Sequence, residues 1–162
     1  MFAGEFSCKL DDKGRFAVPA SLRERFALPS APEVKKAVLV KSQQERCLWL
    51  FPLQHWYTLL ELQRQRLTEP ESRLFMHYVV SEVLEVEVDR AGRVLIPRKL
   101  REDAGIGEEA VLVGMYDRLE VWSSSTWLTH LSQLEEAHEL SLGKVLHMPS
   151  IKPSFPGERS SL

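Results

Sequence analysis

The sequence predicts an α+β, strand-rich fold built by tandem duplication. Three observations carry that expectation. The segment Asp11 to Glu24 returns without a gap as Asp89 to Glu102. Each copy is followed by two short apolar runs of strand type, and each pair of runs by a segment of helical period. Self-similarity at fixed spacing sets architecture before any single element does.

The shared pattern is Asp-x-x-Gly-Arg-x-x-x-Pro-x-x-Leu-Arg-Glu. Asp, two polar or small residues and Gly make a turn: the carboxylate accepts from nearby backbone N–H groups and Gly tolerates positive φ. Asp11 and Gly14 shape the first turn, Asp89 and Gly92 the second. Phe16 and Val18 then alternate with Arg15 and Ala17, as Val94 and Ile96 alternate with Arg93 and Leu95, which is the period of a short strand. Pro19 and Pro97 end those strands and suit the first turn of a helix. The helices expected are 20–26 and 98–104.

Further along, Leu28 to Pro32 reads as a loop, longer in the first half and reaching about Lys36. Ala37-Val38-Leu39-Val40 and Cys47-Leu48-Trp49-Leu50-Phe51 are buried-strand candidates, the second closed by Pro52. Ala110-Val111-Leu112-Val113 and Leu119-Glu120-Val121-Trp122 answer them in the second half. Leu53 to Leu67 has helical spacing at Leu53, Trp56 and Leu60, and Trp127 to Leu140 repeats it with Leu131 and Leu134. Trp56 and Trp127 each follow a strand-closing aromatic, Phe51 or Trp122, by five residues. That spacing points to core packing. Glu69-Pro70-Glu71-Ser72 reads as a break, with another helix over 73–80. Ser124 or Ser125 is the expected cap of the last helix. Three prolines, Gly157 and several serines after Met148 read as a disordered tail.

Composition narrows the function classes. At 162 residues and 44% hydrophobic content the chain can form one domain or two fused small ones. The net charge of −2 does not advertise nucleic-acid binding, but charge is segregated. Both copies of the motif are locally basic, whereas Glu82, Glu85, Glu87 and later Glu135, Glu136 and Glu139 hold the acidity. Cys8 and Cys47 lie far apart in apolar sequence, which argues for buried thiols and against a disulfide scaffold or a zinc site. No run suits a signal peptide or membrane span, so a cytoplasmic protein is expected.

Catalytic motifs are thin. There is no Gly-x-Gly-x-x-Gly and no P-loop, and Gly105-Ile106-Gly107 reads as a helix-ending turn. His138-Glu139 starts like a zinc-protease motif, but Leu142 stands where the second His belongs. Glu135 and His138 on one helix face have no matching pair. The expectation is no enzyme, no metal, no cofactor and no small-molecule substrate.

The opening Met1-Phe2-Ala3-Gly4-Glu5-Phe6, then Leu10-Asp11-x-Lys13-Gly14-Arg15, resembles the start of the MraZ family of bacterial transcriptional regulators. Asp89-x-x-Gly92-Arg93-Val94-Leu95-Ile96-Pro97 resembles its second signature. The resemblance spans residues 1 to about 130. It implies two tandem SpoVT/AbrB-like swapped-hairpin units, 5–54 and 83–126, interleaved as an intramolecular pseudo-dimer. A helical connector over 55–82, a C-terminal helix over 127–147 and a tail over 148–162 complete the division. It further implies a repressor, cytoplasmic and nucleoid-associated, of the division and cell-wall gene cluster including its own promoter. Its partners would be double-stranded DNA with repeated sites and further copies of itself, in a ring. Arg15 and Arg93, following the turn glycines, would reach bases or phosphates. Lys13 and Arg90 would contact phosphate. A structural ring that binds a protein partner and an antitoxin-like module are the competing readings.

Overall fold

The computed structural model describes residues 1–149 and divides into two units, Met1–Leu128 and Thr129 onward. In order, the elements are β1 (Glu5–Lys9), β2 (Arg15–Ala17), a 3-10 helix (Ala20–Phe26), β3 (Ala27–Leu28), β4 (Ala31–Lys41) and β5 (Leu48–Pro52). Two helices follow, α1 (Leu53–Arg66) and α2 (Glu69–Tyr78), then a 3-10 turn (Val80–Glu82). The second half continues with β6 (Leu84–Glu87), β7 (Arg93–Leu95), α3 (Arg98–Asp103), β8 (Glu109–Gly114), β9 (Leu119–Ser123), α4 (Ser124–Ala137) and α5 (Glu139–Leu146). The fold is α+β, with antiparallel sheets and several helices.

One seven-stranded sheet runs β1-β8-β9-β5-β4-β3, with β6 also paired to β4. A separate two-stranded ribbon joins β2 to β7. The pairings cross between the duplicated halves. β1 lies on β8, from Glu5 opposite Val113 to Lys9 opposite Glu109. β6 lies on β4, with Ala37 opposite Val86. Phe16 faces Val94 at the centre of the ribbon.

The apolar strands are buried on both faces, which explains their unbroken hydrophobic runs. In β4, Ala37 and Leu39 enter the main core, while Val38 and Val40 turn to a second cluster with Phe51, Leu53 and Trp56. The main core also takes the inward residues of the ribbon, Phe16, Val18, Val94 and Ile96, each at most 1% exposed. The aromatic pairs act as packing: Phe51 meets Trp56 at 5.6 Å and Trp122 meets Trp127 at 5.3 Å. Gly105 ends α3 in a left-handed conformation at φ 65°, with Gly105 N–H donating to Glu102 O and Ile106 N–H to Arg101 O. Those bonds form a Schellman cap.

Several sequence expectations need correction. The long loop to Lys36 is strand: only Pro29 and Ser30 separate β3 from β4, and Ala31 to Lys36 continue β4. Its polar residues belong to a solvent-facing strand end, so no apolar run marks it. Pro70 does not break a helix; it sits in the first turn of α2, where its missing N–H costs nothing. Thr68 caps that helix, its Oγ1 accepting from Glu71 N–H while the Glu71 carboxylate accepts from Thr68 N–H. Ser123, not Ser124 or Ser125, caps α4 by accepting from Thr126 N–H at 3.1 Å. Pro19 and Pro97 are helix-capping residues, one position before the first turn. α4 stops at Ala137, so Glu135 and His138 do not share a helix, and α5 extends beyond Leu140. Cys47 is buried, but Cys8 only partly so, and burial pushes the Cys8 thiol up to about 11. Apart from Met148 and Pro149, the expected tail lies outside the described residues.

The ribbon supplies a stability test. Ile96→Ala, which opens a fully buried site, is expected to cost about 2–5 kcal/mol. Leu95→Ala, on the outer face next to it, should stay within about 0.5 kcal/mol of the parent. Chemical denaturation of both variants checks the inside-outside assignment.

Candidate nucleic-acid interface

Both turns have the same hydrogen-bond pattern, and each Asp is its centre. Gly14 N–H donates to Asp11 O at 3.0 Å, closing the turn, and Asp11 N–H donates to Arg15 O at 2.9 Å. Asp11 Oδ1 accepts from Lys13 N–H and Arg15 N–H at 3.0 and 2.9 Å. Asp11 Oδ2 accepts from Arg15 Nε at 2.7 Å. In the second turn, Asp89 Oδ1 accepts from Ala91 N–H and Arg93 N–H, and Oδ2 accepts from Arg93 Nε at 2.9 Å. The backbone bonds from Arg15 and Arg93, together with the arginine side chains, outweigh desolvation and hold both carboxyl groups below the usual carboxylate range.

The arginines are therefore pinned. Each spends its Nε on its own turn; among the described residues the two terminal nitrogens of Arg15 and of Arg93 have no protein hydrogen-bond partner. Lys13 and Arg90 are exposed in the same turns. Arg15, Ala17, Arg93 and Leu95 share the outer face of the ribbon, because Phe16 and Val94 take the inner one. The structure thus brings both arginines onto one small surface, as diagonal neighbours about 7–8 Å apart at the backbone.

Two further arginines complete the turns, and they come from the opposite copy. Arg23 Nε donates to Val18 O at 2.8 Å, and Val18 N–H donates to Gly92 O at 2.7 Å. The Arg23 guanidinium consequently lies on Gly92, where a Cβ would collide with it. Arg101 does the same to the first turn: its Nε donates to Ile96 O, Ile96 N–H donates to Gly14 O, and a Cβ on Gly14 would stand 2.7 Å from Arg101 Cζ. Gly14 and Gly92 are thus fixed twice, by φ of 82° and 76° and by a guanidinium on the Cα. Arg23 and Arg101 close the Leu-Arg-Glu end of both copies, so the repeat carried a signal for them. Their reach across to the other copy could not be read from spacing.

Elsewhere, Glu120 is buried on β9. Its Oε1 accepts from Arg118 Nη2 at 2.9 Å and its Oε2 from Trp122 Nε1 at 2.9 Å, while the Arg118 guanidinium covers the Trp49 ring at 4.4 Å. Glu45, Cys47 and Glu120 place ligand-type atoms within 4.8 Å of one another. The Glu120 carboxylate is already engaged, and desolvation with the nearby carboxylates drives the Cys47 thiol up, keeping it protonated. The arrangement is a largely buried polar network.

The depressed carboxyl groups give a pH test. Ionised Asp11 and Asp89 favour the folded turns, a contribution present above the ordinary Asp range and lost as pH falls through the lowered folded values. Asp11→Asn with Asp89→Asn should lower the melting temperature at neutral pH. The gap to the parent should close on acidification below the ordinary Asp value; a gap that stays constant with pH would contradict the clasp.

The sequence model of the MraZ family, described as "MraZ protein, putative antitoxin-like", matches residues 1–77 and 80–143. A protein of Desulfitobacterium hafniense named "Transcriptional regulator MraZ" is 37% identical over 139 residues, 85% of this chain and 92% of its own length. Proteins of the same name from Thermomicrobium roseum and Moorella thermoacetica are 39% identical over 128 residues and 34% identical over 147. They cover 78% and 90% of this chain, and 84% and 97% of their own lengths. With the family model spanning both copies of the motif and such relatives aligned along most of their length, the chain belongs to the MraZ family.

Proposed function

We propose that the chain is a sequence-specific DNA-binding transcriptional regulator. It represses promoters of the division and cell-wall gene cluster, its own among them. The observation that carries this is the ribbon: two guanidinium groups on the outer face of two antiparallel strands, pinned through Nε and, among the described residues, free at their terminal nitrogens. A two-stranded ribbon fits the major groove, and a planar guanidinium suits bidentate contact with guanine O6 and N7. Arg15 and Arg93 read bases, Lys13 and Arg90 position the protein on phosphate, and Asp11, Gly14, Pro19, Asp89, Gly92 and Pro97 hold the turns in shape. Relatives named as transcriptional regulators support the reading.

The fold belongs to the same proposal. Units 5–54 and 83–126 form two swapped-hairpin modules interleaved within one chain, with 55–82 as connector and 127–147 as terminal helical segment. The cross-pairings of β1 with β8, β6 with β4 and β2 with β7 support the interleaving. The active form is a homo-oligomeric ring, because one ribbon per subunit binds weakly and linked ribbons bind well. Exposed apolar side chains on α2 and α5, among them Leu74, Tyr78, Leu140 and Val145, support assembly through helices. The protein works in the cytoplasm at the nucleoid; among the described residues no helix is long and apolar enough to cross a membrane.

The family description gives one observation for a second reading, an antitoxin-like module whose helices hold a protein partner. A small toxin gene beside its own would favour that reading, and a neighbouring methyltransferase with division genes favours the regulator.

Binding to the promoter DNA upstream of its own gene and to a scrambled duplex, over a series of salt concentrations, tests the regulator. Arg15→Ala should cost about 1–3 kcal/mol per bound subunit on the promoter, with Arg93→Ala next, and neither should unfold the protein. Lys13→Ala should weaken both duplexes alike and lower the salt slope by about one unit for each phosphate no longer neutralised. Parent-like promoter binding by both arginine variants would end the proposal. Light scattering should give a mass above that of a dimer, and a monomer at working concentration would remove the ring.

A further inference from the structure

The outer face of the ribbon holds one residue that neither charge nor packing explains. Leu95 is 48% exposed on β7, directly opposite Arg15 and two residues from Arg93 on the same strand. The bonds Ile96 N–H to Gly14 O and Val18 N–H to Gly92 O flank the ribbon. Because ladder bonds alternate, Arg15–Leu95 and Ala17–Arg93 occupy the non-hydrogen-bonded positions, where facing side chains come closest. Leu95 therefore adjoins both arginines on the outer face, across the ribbon from Arg15 and two residues along the strand from Arg93. The near two-fold symmetry of the ribbon would give Arg93 an equivalent neighbour, but there the residue is Ala17.

We propose that Leu95 reads the methyl group of a thymine beside the base contacted by Arg15. The inference rests on the DNA-binding reading above. In the major groove the one apolar group on any base edge is the C5 methyl of thymine, so an apolar side chain seated beside a base-reading arginine has one complementary feature to meet. The methyl stands out from the base edge, within reach of leucine, while the longer arginines extend to the ring edges beyond. Ala17 is too short to do the same beside Arg93. The ribbon therefore has a direction: each subunit favours a thymine on the Arg15 side of its site and is indifferent at the symmetric position.

The test works on the whole promoter duplex, with no need for a mapped operator. The promoter DNA upstream of the gene is amplified with either thymidine or deoxyuridine triphosphate, the latter removing every C5 methyl, beside a scrambled duplex treated likewise. Parent, Leu95→Ala, Leu95→Met and Arg15→Ala are titrated at one salt concentration. The parent should lose about fourfold on the uracil duplex for each contact, the ~0.8 kcal/mol of one buried methyl, multiplied over the bound subunits. Leu95→Met should keep that sensitivity, and Leu95→Ala should bind both duplexes equally, at the parent's affinity for uracil DNA. Arg15→Ala should lose promoter preference on both duplexes, which separates base reading from methyl reading. Equal parent binding to both duplexes would overturn the inference and leave the regulator standing. So would a Leu95→Ala variant that keeps the parent's thymine-to-uracil ratio, or one of smaller particle mass, which would make Leu95 a contact between copies. A parent with no preference for promoter over scrambled DNA would remove both.

Discussion

The clasp between an aspartate and the arginine four residues on is the constraint from which the rest of the surface follows. One carboxylate oxygen gathers two backbone N–H groups of the turn, and the other takes the arginine Nε. Half-exposed ion pairs contribute only modestly to folding, so stability is the smaller part of what the clasp does. Its larger effect is on geometry. An unrestrained arginine must surrender its rotamer freedom on binding, whereas one already held at Nε has lost part of it and points both terminal nitrogens one way. Orientation is set in the free protein, by the turn itself.

Each turn is nonetheless incomplete without the other copy. Arg23 roofs Gly92 and Arg101 roofs Gly14, each through a carbonyl of its own strand that leads directly into the ribbon. The ribbon exists only as β2 on β7, and its inner residues, Phe16 and Val94, enter one core. A substitution in one copy is therefore felt at the turn of the other. The glycine, the roofing arginine and the central apolar pair form one cooperative object, and their effects should not add as independent sites do.

The duplicated motif made the turns, the ribbon strands and the outward placement of Arg15 and Arg93 legible, because turn chemistry and period-two alternation are local. The apolar strands were legible for the same reason. What escaped was set by partners distant in sequence. Ala31 to Lys36 has no strand signature of its own, and extends because β3 folds back on it at Ala27 and Leu28. Glu120, inside a buried-strand candidate, is a different case: it is 2% exposed and its two oxygens are satisfied by Arg118 and Trp122, near in sequence but in a pattern that no turn or period signals. Arg23 and Arg101 were visible as repeated residues, but the contact that gives them meaning joins opposite halves. Pro70 misled for a different reason: proline breaks a helix interior and suits its first turn, and the deciding residue is Thr68 just ahead of it.

Fusing both copies into one chain removes a restriction that a symmetric pair of identical chains would face. In such a pair every change appears twice across the axis, so a leucine added beside one arginine is added beside both. Here Lys13 is matched by Ala91, Ala17 by Leu95 and Ser21 by Lys99, while the aspartates, glycines and arginines of the turns are identical. The residues that build the clasp are held constant, and the outward positions around it differ. Geometry of presentation and chemistry of the presented surface are thus separable within the motif. Lys13 in the first turn is offset by Asp12, where the second turn has Arg90, and the leucine opposite the first turn's arginine comes from the second copy. On the proposed DNA-binding reading, a surface with a near two-fold axis in its backbone and none in its side chains distinguishes the two directions along a site, which a strictly symmetric ribbon cannot do.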